Sequence, residues 1–152
     1  MNEIRIAEAR EAIRYIRSVA AQHDELNNDC LMKVITSDSK TPPSVLRVIA
    51  SNTSNTELLS RVAANSNTSN EVLHKLAKHI CKDVRMAVAD NPNASNLAVR
   101  PLTTDDSPTV RFTLAENPYT DEIVLEKLMD DENPFVAHRA EETLDRLHSQ
   151  AM

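Results

Sequence analysis

The string Asp83-Val84-Arg85-Met86-Ala87-Val88-Ala89-Asp90-Asn91-Pro92 returns as Thr109-Val110-Arg111-Phe112-Thr113-Leu114-Ala115-Glu116-Asn117-Pro118. It returns again, degraded, as Phe135-Val136-Ala137-His138-Arg139-Ala140. Val84, Val110 and Val136 fix the interval at 26 residues. A fixed period of roughly 20 to 50 residues is the signature of a stacked array, in which no unit can bury its apolar face alone.

Each period holds two apolar segments. Ala63, Ala89 and Ala115 mark the first. Leu73, Val99 and Leu125, with Leu76, Leu102 and Leu128, mark the second at the same spacing. An Ala-rich helix admits a close neighbour, and a Leu-rich one fills the space between. The breaks, such as Asn65-Ser66-Asn67-Thr68-Ser69-Asn70 and Asp105-Asp106-Ser107-Pro108, hold residues that bond their own backbone in turns and caps, and Pro where a helix begins. Earlier half-units at Val45-Leu46, Leu58-Leu59 and Val72-Leu73 step by 13 and then 14 residues. The chain therefore reads as all-α and as one repeat domain over residues 1–152. An N-terminal capping helix falls in 1–28, repeats in 29–134 and a C-terminal capping helix in 135–152.

The first helix is expected from Glu3 to about Gln22, capped by Asn2. Ile6, Ala9, Ile13, Ile16 and Ala20 recur at three- and four-residue steps and are expected to face the core. Arg10, Arg14 and Arg17 share another face, read as solvated and paired with Glu at i±4, with a basic docking site as the alternative. The last unit keeps Val136 and Ala140, turns acidic at Glu141 and Glu142, and runs on through Leu144 and Leu147, as a polar terminal cap should.

Glycine is absent from all 152 residues. Phosphate loops, dinucleotide fingerprints and the nucleophile elbow all need it, so these are excluded. Helix ends that use a left-handed glycine must use another residue, and Asn65, Asn91 and Asn117 are expected to serve as terminators. Aromatic residues make up only 3% of the chain, so the core must be aliphatic. There is no apolar run long enough for a membrane span and no signal-peptide core at the N-terminus, so a cytoplasmic location is expected. The formal charge of −6 is concentrated: residues 121–152 hold nine acidic and three basic residues.

The unit Asp106-Ser107-Pro108-Thr109-Val110-Arg111-Phe112-Thr113-Leu114-Ala115-Glu116-Asn117-Pro118-Tyr119-Thr120, followed by Val124-Leu125-Glu126-Lys127-Leu128, resembles the leucine-rich repeat variant family. Residues 83–103 match the same pattern, and 41–80 match it more loosely through Thr41-Pro42, Ala50, Ala63, Thr68, Val72-Leu73 and Leu76-Ala77. The resemblance implies a right-handed α/α superhelix, a solenoid of alternating α and 3₁₀ helices related to HEAT repeats. A known member of the family carries a cysteine-rich iron–sulfur segment before its repeats. Here Cys30 stands alone, so no cluster or other cofactor is expected.

Arg85 and Arg111 follow acidic residues, Asp83 for one and Asp105 or Asp106 for the other. In HEAT-like units this resembles an Asp–Arg ladder between repeats; a basic stripe for nucleic acid is the alternative, disfavoured by the acidic charge and the lack of stacking aromatics. His74, His79, Cys81 and Asp83 are metal-ligand types at no recognised zinc spacing. Asp130, Asp131 and Glu132 lack the glycine of a calcium loop and read as an acidic turn, capping a helix or offering charge to a basic partner. Met86, Phe112 and His138 share one register of the repeat. They form either inter-repeat packing or a column on a binding face, with Arg85, Arg111 and Tyr119 as neighbours.

No nucleophile–base constellation is visible. The expected function is a non-catalytic protein-interaction module of a bacterial cytoplasm, monomeric or weakly self-associating, with an unidentified protein partner, and no membrane. Nucleic-acid binding and self-assembly are the competing readings.

Overall fold

The computed structural model describes residues 2–23 and 25–150, without the side chains of Asn2 and Gln150. The expected Asn2 cap therefore lies outside the described side chains. The described residues form ten α-helices and one 3₁₀ turn, with no strand. The helices are α1 (Asn2–Gln22), α2 (Asn28–Ser37), α3 (Pro43–Asn52), α4 (Thr56–Ala64), α5 (Asn70–Leu76), α6 (Lys82–Ala89), α7 (Asn96–Val99), α8 (Pro108–Glu116), α9 (Glu122–Met129) and α10 (Pro134–Gln150). The 3₁₀ turn, Arg100–Thr104, continues α7.

The period is literal in the helix starts. α4, α6, α8 and α10 begin at Thr56, Lys82, Pro108 and Pro134, and α5, α7 and α9 at Asn70, Asn96 and Glu122, each series stepping by 26. The helices pack in two rows. α2, α4, α6, α8 and α10 follow one another in the first row. In the second, α1 packs on α3, α5 on α7, and the 3₁₀ turn on α9. The rows meet over an aliphatic core. Val84, Val110, Leu114, Ala63, Ala89 and Ala115 come from the first row, and Leu73, Leu102, Leu125 and Leu128 from the second, all essentially solvent-free. Each such Leu or Val contributes about 1.5–3 kcal/mol through burial.

Helix starts follow local chemistry. Asn55 Oδ1 accepts from Glu57 N at 2.9 Å, and Asp121 Oδ1 from Ile123 N at 3.0 Å. Pro43, Pro108 and Pro134 stand first in α3, α8 and α10, where the missing N–H costs nothing.

Three expectations need correction. In α1 the buried side is centred on Ala12, flanked by Tyr15, Ile16, Val19 and Ala20, whereas Ile6 and Ile13 remain 49% and 51% exposed. The helix is rotated because only its Ala12 side meets a neighbour, chiefly α3. The asparagine terminators are not left-handed: no described residue has positive φ, and Asn65 and Asn117 are extended at φ −71° and −69°. The α/3₁₀ alternation appears once among the described residues. Pro101 stands where Lys75 and Lys127 stand in the flanking repeats, and it removes the N–H an α-helix would need there.

Candidate interaction surface

Two hydrogen-bonded ladders hold the repeats in register. The first is made of asparagine. Asn65 Nδ2 donates to Thr36 O and Asp38 O, both at 2.9 Å. Asn91 Nδ2 donates to Ala63 O at 2.6 Å and Asn65 O at 3.0 Å, and Asn117 Nδ2 to Ala89 O at 2.8 Å. The acceptors Thr36, Ala63 and Ala89 lie in the last turns of α2, α4 and α6, whose carbonyls have no partner within their own helix. Each amide oxygen meanwhile closes a turn, accepting from Asn67 N, Asn93 N and Tyr119 N at 2.8–2.9 Å. A buried asparagine thus caps the previous helix of its row from the next repeat. That is how α2, α4 and α6 end without glycine.

The second ladder pairs arginine with aspartate. Arg85 Nε and Nη2 donate to Asp105 Oδ2 and Oδ1 at 2.6 and 3.0 Å, and its Nη1 donates to His79 O at 2.7 Å. Arg111 repeats this one unit on, with Nε and Nη2 to Asp131 at 2.7 and 3.0 Å and Nη1 to Asp105 O. The bidentate partner of each arginine is the acidic residue 20 positions downstream, in the next repeat, not the one just upstream, and Arg111 Nη2 also reaches Glu132 Oε1 at 3.4 Å. Asp83 is exposed and has no ion pair among the described residues. The Arg111–Asp131 rung is deeply buried, at 6% and 4% side-chain exposure. Burial pushes the Asp105 carboxyl up, but the Arg85 hydrogen bond, the Ser107 N–H and the charges of both arginines outweigh it and hold the carboxyl below the ordinary range. The bonds to Asp105 and Asp131 raise Arg85 and Arg111 further.

Both arginines of the candidate site are therefore engaged within the chain. Met86 and Phe112 are half-buried against the core, and the Arg139 guanidinium sits 5.3 Å from the Phe112 ring centroid. His138 is 69% exposed and lies 3.4 Å from Glu142. Tyr119 is 69% exposed on its turn. The register Met86–Phe112–His138 passes from half-buried to exposed along the array.

Beside the arginine ladder the surface opens. A cleft of about 610 Å³ lies between the turn before α8 and the turn before α10; five acidic residues, Asp105, Asp106, Asp130, Asp131 and Glu132, line it beside Arg111 and Lys127. Asp105 and Asp131 are neutralised by their arginines, and Lys127 donates to Thr103 Oγ1 at 2.8 Å. Asp106, Asp130 and Glu132 remain exposed. Asp106 and Glu132 are one period apart, each following a ladder aspartate, so the acidic dipeptides Asp105-Asp106 and Asp131-Glu132 split into an inward structural residue and an outward exposed one, Glu132 keeping a 3.4 Å contact with Arg111 Nη2. That signal was in the sequence; its division was not.

His74 Nδ1 and His79 Nδ1 have separate partners, Leu97 O and Cys81 N at 3.1 Å each. Among the described residues no three His, Cys, Asp or Glu side chains converge as a metal site. No described helix is long and apolar enough to cross a membrane. Comparison with protein-family models, with curated proteins and with solved structures gives no match.

Proposed function

We propose that the chain is a non-catalytic protein-interaction module, its helices wound as a right-handed superhelix of the leucine-rich repeat variant kind, working in a bacterial cytoplasm. The observation that carries this reading is the pairing of locked turns with exposed carboxylates. The turns before α8 and α10 are held by bidentate Arg–Asp bonds and Asx turns, and they present Asp106, Asp130 and Glu132 into one cleft. A surface ordered before binding loses little entropy when a partner arrives. Its field favours a basic protein and repels a phosphate backbone.

The test is affinity capture from the source cells with the wild-type chain and with Asp106→Lys/Glu132→Lys, whose substitutions lie on exposed side chains. A basic protein held by the wild type and lost from the variant is the expected result. An identical set of partners on both would remove the cleft from consideration. Salt-sensitive retention of nucleic acid would move the reading to the alternative.

A further inference from the structure

The first and last helices carry complementary faces, and neither face is covered by the other described residues. α1 is held by α3 and α2, and α10 by α8 and α9, so they lie at opposite ends of the two rows. On α1, Ile6, Arg10, Ile13 and Arg17 stand at i, i+4, i+7 and i+11 and form one exposed stripe, with Arg14 alongside. The expected pairing with Glu at i±4 does not occur: those positions are occupied by Ile6, Ile13, Ser18, Ala21 and the arginines themselves. Among the described residues none of the three arginines makes an ion pair. Arg10 and Arg14 are like charges at i,i+4, an unfavourable pairing on a helix.

α10 shows the reverse. Its buried side is Val136, Ala140 and Thr143, and its outer side presents Phe135, His138, Glu141, Glu142 and Asp145. Phe135 is 76% exposed. Glu142 is shared with Arg139 and His138, but Glu141 and Asp145 are again like charges at i,i+4, and the exposed His138, 3.9 Å from Glu141, is their one ion-pair contact among the described residues, Arg146 following Asp145 in the chain. Each end helix thus carries an unfavourable local charge pair that the opposite end of another copy would relieve.

We propose that the chain associates head to tail. The Ile6–Arg10–Ile13–Arg17 face of α1 seats on the Phe135–Glu141–Asp145 face of α10 in a second copy. The contact is heterologous: different patches meet, each copy keeps one face free, and association continues beyond a dimer. With few apolar side chains on each face it is weak and salt-sensitive.

Sedimentation velocity over a concentration series tests it, using the full chain at low and high ionic strength. The wild type is expected to gain mass with concentration at low salt and to lose that gain at high salt. Arg10→Glu/Arg17→Glu and Glu141→Lys/Asp145→Lys change exposed side chains only, and helicity by circular dichroism serves as the folding check. Each variant alone is expected to stay monomeric. Their mixture is expected to regain mass, because the intact α10 of one meets the intact α1 of the other and the two reversed faces also match. A wild type that is monomeric throughout overturns the proposal. So does association of the α10 variant alone, which would indicate an α1–α1 contact. A mixture that stays monomeric overturns it too, as does a wild type whose only arginine-dependent ligand is added duplex DNA.

Discussion

Asn91 Nδ2 stands 2.6 Å from the carbonyl oxygen of Ala63, a residue 28 positions earlier in the preceding repeat. One amide thereby joins two repeats, satisfies a helix C-terminus and, through its oxygen, sets the turn at Asn93. Asn91 is only 2% exposed, so water cannot replace these bonds. Asn91→Ala is expected to lower the free energy of unfolding by about 2–4 kcal/mol, three bonds being lost and the Ala63 and Asn65 carbonyls left buried without them. Asn91→Asp is expected to cost more at neutral pH. It keeps the turn acceptor but sets a carboxylate against two carbonyl oxygens. Urea denaturation of both variants decides this, and an aspartate variant as stable as the wild type would show the amide nitrogen to be idle.

The Arg111–Asp131 rung is a buried charge pair, and such pairs matter most when half is removed. Asp131→Ala leaves a guanidinium at 6% exposure facing the Asp105 carbonyl with its main partner gone. The expected cost is about 3–5 kcal/mol. The double change Arg111→Met/Asp131→Leu is expected to recover much of that loss, since apolar side chains of similar size need no desolvation. A double-mutant cycle with Arg111→Met and Asp131→Leu as the single changes, followed by chemical denaturation, measures the coupling, and additive single losses would mean that the two charges do not depend on each other.

The row of helices was legible because burial repeats the sequence period. Val84, Val110 and Val136 share a register and are all solvent-free. Pairing across repeats was only half legible. Arg85 and Arg111 each have an acidic residue close upstream and another 20 positions downstream, and only the packing of α6 on α8 and α8 on α10 selects the downstream one. The buried side of α1 is hidden from the sequence for a similar reason. Its apolar residues extend around more of the helix than one neighbour can cover, so spacing alone could not separate Ala12 from Ile6 and Ile13. The asparagines were recognised as helix ends, but their effect on the previous repeat is a through-space relation invisible to local propensity.

One rung is missing and can be supplied. Thr41 Oγ1 donates to Ile35 O at 2.6 Å, Thr68 Oγ1 to Val62 O, and Thr120 Oγ1 to Leu114 O at 2.9 Å, each reaching six residues back. Ala94 occupies this register in the repeat between Thr68 and Thr120, six residues after Val88. Ala94→Thr is expected to add the bond to Val88 O and contribute about 0.5–1.5 kcal/mol. For a chain of this size that raises Tm by about 2–4 °C per kcal/mol. Thermal denaturation checks it, and a lowered Tm would mean that the added methyl group does not fit beside α6.

Acid should weaken the ladder before it unfolds the core. The Asp105 carboxyl is held below its usual range, against the effect of burial, by Arg85 and the Ser107 N–H. Below about pH 4 the unfolded chain binds a proton there that the folded chain does not. Stability therefore falls as pH drops from that point, and the contribution of the rung is gone once pH is below the folded value. Asp105→Asn is expected to destabilise most at pH 7, where it removes a charge facing Arg85, and progressively less as pH falls through the lowered folded-state value of the wild-type carboxyl. Urea midpoints at pH 7, 4, 3 and 2 measure the gap between the two proteins. A gap that stays constant across that series would show that the Asp105 charge contributes nothing to the fold.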